Sequence, residues 1–156
     1  MIYVIDTNSF CVMDNFYPSV FVKFWEHIDW LVMNERLIST REVLRELEKD
    51  VHRNHVFDWA CRNKNIFQTP SPEETKLIRD ILSVPQFSNM IKKEKLLKGG
   101  PAADPWLVSL AKTTGGCLVT EESDKPNSAK IPTVCKYYDI SCTNLEGMLK
   151  DEGWEF

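Results

Sequence analysis

The chain has 156 residues, of which 43% are apolar and 27% are charged. This length fits one domain of the usual ~100–150 residues, and the composition excludes a disordered or fibrous protein. With 23 acidic and 19 basic residues, the formal net charge is −4. That balance argues against a protein that holds nucleic acid mainly through its phosphates, because such proteins usually present a basic surface.

The sequence contains no apolar run of ~18 residues, so we expect no transmembrane helix. Its first residues, Met1-Ile-Tyr-Val-Ile-Asp6, lack the basic start and the apolar stretch of ~7–15 residues that a signal peptide has. The five cysteines are scattered and odd in number. We therefore expect a cytoplasmic chain with reduced thiols.

The chain begins with a predicted buried strand. Residues 2–5 form a short apolar run rich in β-branched and aromatic side chains, and residues 6–9 follow as a turn-type cluster. From Pro18 onward, apolar side chains recur at helical spacing and predict an amphipathic helix over 18–34. A second apolar side on this helix favours either a contact with another protein or burial beneath the helices of 54–83.

In the middle of the chain, capping signals mark two helix starts. Ser39 followed by Glu42 is a capping-box pattern, and Pro72 opens a helix that begins with two glutamates. We predict a strand at 37–38, helices at about 40–50, 54–64 and 72–83, and a mobile helix or loop at 84–103.

In the last third of the chain, Asp104-Pro105 opens a helix that Gly115-Gly116 ends. Pro132 lies in a short apolar run and indicates an edge strand there. We predict a helix from 104, strands at 117–119 and 131–135, and a closing helix near 143–150.

Strands alternate with helices along the chain, which predicts a single α/β domain over 1–156. We expect three layers, with helices on both faces of a central, mostly parallel sheet of four to five strands. In such folds, ligands bind in the crevice at the carboxyl ends of the strands.

Acidic residues recur where this fold collects its functional groups, and no His or Lys lies among them as an obvious partner. Hard divalent cations, Mg²⁺ or Mn²⁺, are the usual way to neutralise grouped carboxylates. Local roles are the alternatives: an Asx turn for Asp6, a capping box for Glu42, an N-cap for Asp104 and surface charge for others. The candidates are Asp6, Glu42, Glu46, Asp104, Glu121, Glu122 and Asp124.

Four short motifs, in order, resemble those of the PIN domain family. They are Val4-Ile-Asp-Thr-Asn8, Val43-Leu-Arg-Glu-Leu47 after Ile38-Ser39, Ala103-Asp-Pro-Trp-Leu107, and Leu118-Val-Thr120 followed by Glu122. The family usually has Asp at the fourth position, so Glu121 or Asp124 is an alternative to Glu122. The long segment 84–103 is typical of a divergent, PIN-like branch.

The resemblance implies a metal-dependent endoribonuclease like the VapC-type ribonuclease toxins, which a partner antitoxin restrains. Under it, Asp6, Glu46, Asp104 and Glu122 would be catalytic and would bind one or two Mg²⁺ or Mn²⁺ ions. Hydrolysis would leave a 5′-phosphate and a 3′-hydroxyl. Because they lie beside predicted ligands, Asn8 and Thr120 would orient a carboxylate or a water.

The substrate and partner predictions are less specific. Lys92, Lys93, Lys95 and Lys98 form the one concentrated basic stretch, which would contact RNA phosphates, a partner's acidic segment, or solvent alone. The second apolar side of the 18–34 helix would suit a homodimer or an antitoxin. Two other functions stay open: a PIN-fold RNA- or protein-binding module without activity, and a metal-dependent phosphatase.

Overall fold

The computed structural model describes residues 1–49, 55–91 and 103–156. Its centre is a sheet of five parallel strands in the order β3-β2-β1-β4-β5. Val4 at the middle of the sheet pairs with Ile38 on one side and with Leu118 on the other. The strands are β1 (Tyr3–Ile5), β2 (Leu37–Thr40), β3 (Phe67–Gln68), β4 (Cys117–Val119) and β5 (Cys142–Thr143).

Helices connect and flank these strands, and several begin or end at recognisable caps. Asp6, Ser71 and Asn144 each accept a backbone N–H at a helix start, and Gly115 ends a helix in the left-handed conformation. The helices are α1 (Thr7–Met13), α2 (Val22–Met33), α3 (Arg41–Lys49), α4 (His55–Arg62), α5 (Pro72–Ser83), α6 (Asp104–Thr114), α7 (Ile131–Tyr137) and α8 (Leu145–Asp151), with 3₁₀ turns at Lys64–Ile66 and Pro85–Met90.

The strand order fixes which face of the sheet each helix covers. The chain runs from β1 outward to β2 and β3, then crosses to β4 and β5 on the other side of β1. Because parallel crossovers are right-handed, α1–α4 cover one face, and the helices that precede and follow β4 cover the other. α6 packs on β1, β2 and β4 and also contacts α5 and α7. The predicted α/β fold with a mostly parallel sheet of four to five strands is confirmed.

The core lies between the sheet and these helices. Phe10 of α1 is fully buried and contacts the rings of Trp59 and Phe67. These contacts join α1 to α4 and to β3, one of the two edge strands. On the other face, Leu107 and Leu110 of α6 are also fully buried. This packing fixes the ends of β1 and α6 relative to each other.

Two of the predicted elements are wrong. Residues 131–135 are the start of α7 rather than an edge strand: Ile131, Val134 and Cys135 are buried at helical spacing, and Pro132 takes the first turn, where its missing N–H costs nothing. The edge strand is β5 instead. Residues 6–9 are not a simple turn, because Asp6 caps a helix whose buried side chains again follow a helical period.

The capping predictions at 39–42 and 104 also fail. Ser39 lies in β2, and its hydroxyl donates to Ile5 O at 2.7 Å, while Glu42 pairs with Arg41 and Arg45. Ala103 takes the capping position of α6, without a side-chain hydrogen bond, so Asp104 is the first residue of that helix.

α2 exposes its second apolar side. Phe24, Trp25, Ile28 and Leu31 are buried, whereas Val22, Trp30 and Met33 are 50%, 45% and 74% exposed. The interpretation that this second side lies beneath the 54–83 helices is therefore wrong for these three residues.

Among the described residues, no helix is long and apolar enough to cross a membrane. None of the five cysteines is joined to another in a disulfide. Of the segment 84–103, residues 85–90 form the second 3₁₀ turn, and 92–102 lie outside the described residues.

Candidate acidic site at the sheet edge

The candidate site lies where the order of the strands reverses. β1 is bordered by β2, which follows it, and by β4, which the chain reaches only after crossing the sheet. The connections from these strands diverge at their carboxyl ends and leave a crevice there, the usual place for ligands in open parallel sheets. Asp6 follows β1 directly and Thr120 follows β4 directly, and Asp6 N donates to Val119 O at 3.0 Å.

A cavity of about 330 Å³ opens at this point, and four acidic side chains of the described part of the chain line it. They come from four parts of the chain: the end of β1, α3, the start of α6 and the loop after β4. They are Asp6, Glu46, Asp104 and Glu122, the four acids of the predicted motifs.

Asp6 is the deepest of the four. It is only 3% exposed, and its two carboxylate oxygens accept hydrogen bonds from Thr7 N at 2.6 Å and from Thr120 Oγ1 at 2.8 Å. The pKa of Asp6 is raised to about 6: burial is the main cause and the charges of Glu122 and Glu46 add to it, while the hydrogen bonds from Thr120 and Thr7 lower it. The ionised carboxylate is therefore poorly compensated by the residues around it.

Glu46 and Glu122 are each held by their own donors at the cavity. Glu46 Oε2 accepts a short hydrogen bond from the Thr7 hydroxyl, and Glu46 Oε1 lies 3.4 Å from Ala103 N. Glu122 Oε2 accepts from Ile131 N at 2.9 Å, and Lys130 Nζ lies 3.8 Å from its other oxygen. Both side chains are thus tied to donors of the protein.

The donor set suits a hard divalent cation in its chemistry, since it consists of carboxylate oxygens. Within 1–49, 55–91 and 103–156, however, no three acidic, His or Cys side chains converge closely enough to hold a metal ion. The longer side chains of Glu46 and Glu122 would have to turn from their present donors to share an ion with Asp6. The residues thus fit such an ion by the chemistry of their oxygens and by lining one cavity, but not in their present positions.

The structure also separates the three acids after β4. Only Glu122 lines the acidic cavity. Glu121 points away and accepts from Ser9 Oγ at 3.1 Å and from Leu145 N at 2.9 Å. Asp124 forms an ion pair with Lys136 and lies 2.9 Å from Thr133 Oγ1.

The two predicted orienting residues differ in their contacts. Thr120, 2% exposed, donates to Asp6 and accepts from Glu122 N at 3.2 Å, so it joins two of the four acids. Asn8 lines the cavity and is exposed. Lys92, Lys93, Lys95 and Lys98 lie outside the described residues, so their contact with RNA stays a prediction.

Two cavity-lining lysines were missed by the sequence analysis. Lys125 and Lys130 border the cavity beside Glu122, together with Ser128. They are five residues apart in a loop and form no concentrated run, which is why charge clustering alone does not detect them. The only signal for them in the sequence is their position, three and eight residues after Glu122.

By fold and site, this is a parallel α/β protein with an acidic cavity at the reversal of its strand order. The profile of the family described as a domain of unknown function (DUF4411) matches residues 3–156, and the chain belongs to that family. No curated protein matches the sequence significantly.

Among solved structures, the chain is similar to one in the crystal structure of VapBC2 from Rickettsia felis bound to a DNA fragment from their promoter. The two share 18% sequence identity, and the match covers 92% of this chain and 98% of that one, with a TM-score of 0.49.

Proposed function

We propose that the chain is a metal-dependent endoribonuclease that hydrolyses RNA phosphodiester bonds at the acidic cavity. The observation that carries the proposal is that Asp6, Glu46, Asp104 and Glu122, which lie up to 116 positions apart, line one cavity at the strand-order reversal. These are the acids at which the sequence resembles the PIN domain family. Four carboxylates repel a phosphate, so the acidic part of the cavity would need a bound cation to hold the reacting phosphate.

The four carboxylates would hold one or two Mg²⁺ or Mn²⁺ ions. When bound, such an ion supplies a hydroxide at neutral pH and stabilises the charge that builds up on the phosphate. Asp6 is suited to be the fixed ligand because two donors and its burial set its orientation. Glu46 and Glu122 have longer side chains and are suited to adjust to the ion.

Thr120 acts in this proposal as a positioning residue. Its hydroxyl donates to Asp6 and accepts from Glu122 N. Thr120 therefore orients the Asp6 carboxylate and holds the backbone at Glu122. Removing an orienting hydrogen bond of this kind typically costs about 10–100-fold in metal affinity.

Thr120→Val should therefore weaken Mn²⁺ binding by about 10–100-fold in a calorimetric titration. It should also raise the pKa of Asp6 further, because the Thr120 hydrogen bond lowers it, and move the acidic limb of the pH–rate profile upward. Thr113→Val, at the far end of α6, is the matched control. Unchanged Mn²⁺ affinity in Thr120→Val would show that Thr120 does not position the ligands.

The function itself is tested by incubating the purified chain with RNA in Mg²⁺ or Mn²⁺ and in EDTA. We expect cleavage only with the divalent ion, and products with a 5′-phosphate and a 3′-hydroxyl. Cleavage that persists in EDTA contradicts the metal-dependent mechanism. Turnover of small phosphate esters without any RNA cleavage would instead support the phosphatase, and neither activity with no Mn²⁺ binding would support an inactive module.

We further propose, from the sequence resemblance, that the chain is the toxin of a toxin–antitoxin pair. The exposed side of α2, formed by Val22, Trp30 and Met33, offers an apolar surface for a protein partner. Expression with and without the adjacent gene tests this: a toxin should arrest growth alone and not when that gene is present. Growth unaffected by the active enzyme alone would contradict the toxin role.

A further inference from the structure

We propose that residues 124–130, the loop segment between β4 and α7, form a phosphate-binding wall of the acidic cavity. In this inference, which rests on the proposed ribonuclease function, Lys125 and Lys130 hold RNA backbone phosphates next to the scissile one. The scissile phosphate itself would lie against the carboxylates.

The wall has a defined conformation, because its own polar groups fix it. Ser128 Oγ donates to Lys125 O at 2.5 Å and lies 3.2 Å from Lys130 N, so one serine ties both lysine backbones together. Thr133 Oγ1 lies 3.3 Å from Lys125 N and joins the wall to α7. Gln86 Nε2 donates to Ser128 O at 3.0 Å and joins it to the second 3₁₀ turn.

The two lysines of the segment line the acidic cavity, whereas its one acid does not. The one acid in the wall, Asp124, is neutralised by Lys136 and faces away from the acidic cavity. Lys130 Nζ lies 3.8 Å from Glu122 Oε1. Lys125 lines the cavity and, among the described residues, has no ion-pair partner. Positive charge is therefore presented to the cavity while the acid is held outside it.

The two lysines reduce the electrostatic repulsion between the acidic site and RNA. Four ionised carboxylates with one bound divalent ion keep a net negative charge, and this charge repels an approaching polyanion. Two lysines at the rim attract the RNA backbone before its reacting phosphate reaches the ion. The net charge of −4 therefore coexists with a local cationic contact for RNA.

The two lysines should differ in effect. Lys130 lies beside Glu122, so its removal should change both RNA binding and Mn²⁺ affinity. Lys125 forms no ion pair with a described carboxylate, so Lys125→Gln should weaken RNA binding and change Mn²⁺ affinity less than Lys130→Gln does.

The test uses Asp104→Asn as the parent, to suppress cleavage, and a short fluorescein-labelled single-stranded RNA followed by fluorescence anisotropy at several salt concentrations. Lys125→Gln should raise the Kd about 5-fold, whatever the RNA sequence. The slope of log K against log salt should become shallower by about 0.7 for each lysine removed. Lys23→Gln, an exposed α2 residue with the same charge change, is the control and should leave Kd and slope unchanged.

A Lys125→Gln/Lys130→Gln double variant that keeps the parent's Kd and salt slope overturns the phosphate wall. If wild-type protein nevertheless cleaves RNA with Mn²⁺, only this inference fails and the ribonuclease proposal stands. A parent that binds no RNA at all, together with no cleavage by wild type, overturns both. Lys125→Arg, which keeps the charge, should retain the parent's affinity.

Discussion

Replacing Asp6 by asparagine should make the metal-free protein more stable at pH 7, by about 2–3 kcal/mol in the free energy of unfolding. The pKa of Asp6 is about 6 in the folded chain against 3.8 for an unperturbed Asp, so ionisation of this group opposes folding. That cost is fully present above pH 6 and disappears as the pH falls toward 4. Asn is uncharged, and its side-chain oxygen can still accept from Thr7 N and cap α1.

Urea unfolding of both proteins in EDTA, from pH 4 to pH 7.5, checks this. Subtracting the free energy of unfolding of wild type from that of Asp6→Asn cancels the pH dependence that other acids contribute. One such acid is Glu152, whose pKa is lowered. The difference should be near zero at pH 4 and largest above pH 6. Asp139→Asn, the same substitution at an exposed left-handed position that Asn tolerates, is the control outside the cavity. A variant less stable than wild type at pH 7 would contradict the assignment.

Adding Mn²⁺ should stabilise the wild-type protein by about 2.7 kcal/mol when its concentration is 100 times the Kd. The ion would bind the folded chain and neutralise the carboxylate that destabilises it. Because protons compete for Asp6 below pH 6, the stabilisation should be much smaller at pH 5 than at pH 7.5.

Thermal unfolding with Mn²⁺ and with EDTA at the two pH values measures this effect. Asp6→Asn should lose most of the stabilisation, whereas Glu121→Gln should keep it, since Glu121 bonds to Ser9 and Leu145 outside the cavity. Equal stabilisation of wild type and Asp6→Asn would contradict a metal site at Asp6.

Much of the architecture is predictable because its signals are local. Short apolar runs mark β1 and β4, and Pro72 with the glutamates after it marks the start of α5. The errors arise where tertiary packing overrides a local pattern. Residues 131–135 are apolar enough for a strand, but their buried positions follow a helical period. β3 and β5 have two residues each, too few to give a periodic signal.

The sequence predicts which acidic residues line the site, but not the side chains that surround them. The strand-end rule and the motif order identified Asp6, Glu46, Asp104 and Glu122, which do line one cavity, although their metal-binding role stays a prediction. Which acid after β4 faces the cavity depends on loop conformation, which sequence alone does not reveal. Lys125 and Lys130 come to the cavity for the same reason, through hydrogen bonds of the loop rather than through charge clustering.

The most direct test of the central claim is RNA cleavage by the Asp6→Asn/Asp104→Asn double variant with Mn²⁺, compared with wild type. Losing two ligands should remove several kcal/mol of transition-state stabilisation, and the rate should fall by about a thousandfold or more. The double variant should remain folded, since Asp6→Asn by itself is expected to stabilise the metal-free protein. A folded double variant that cleaves RNA at the wild-type rate would show that the acidic cavity is not the catalytic site.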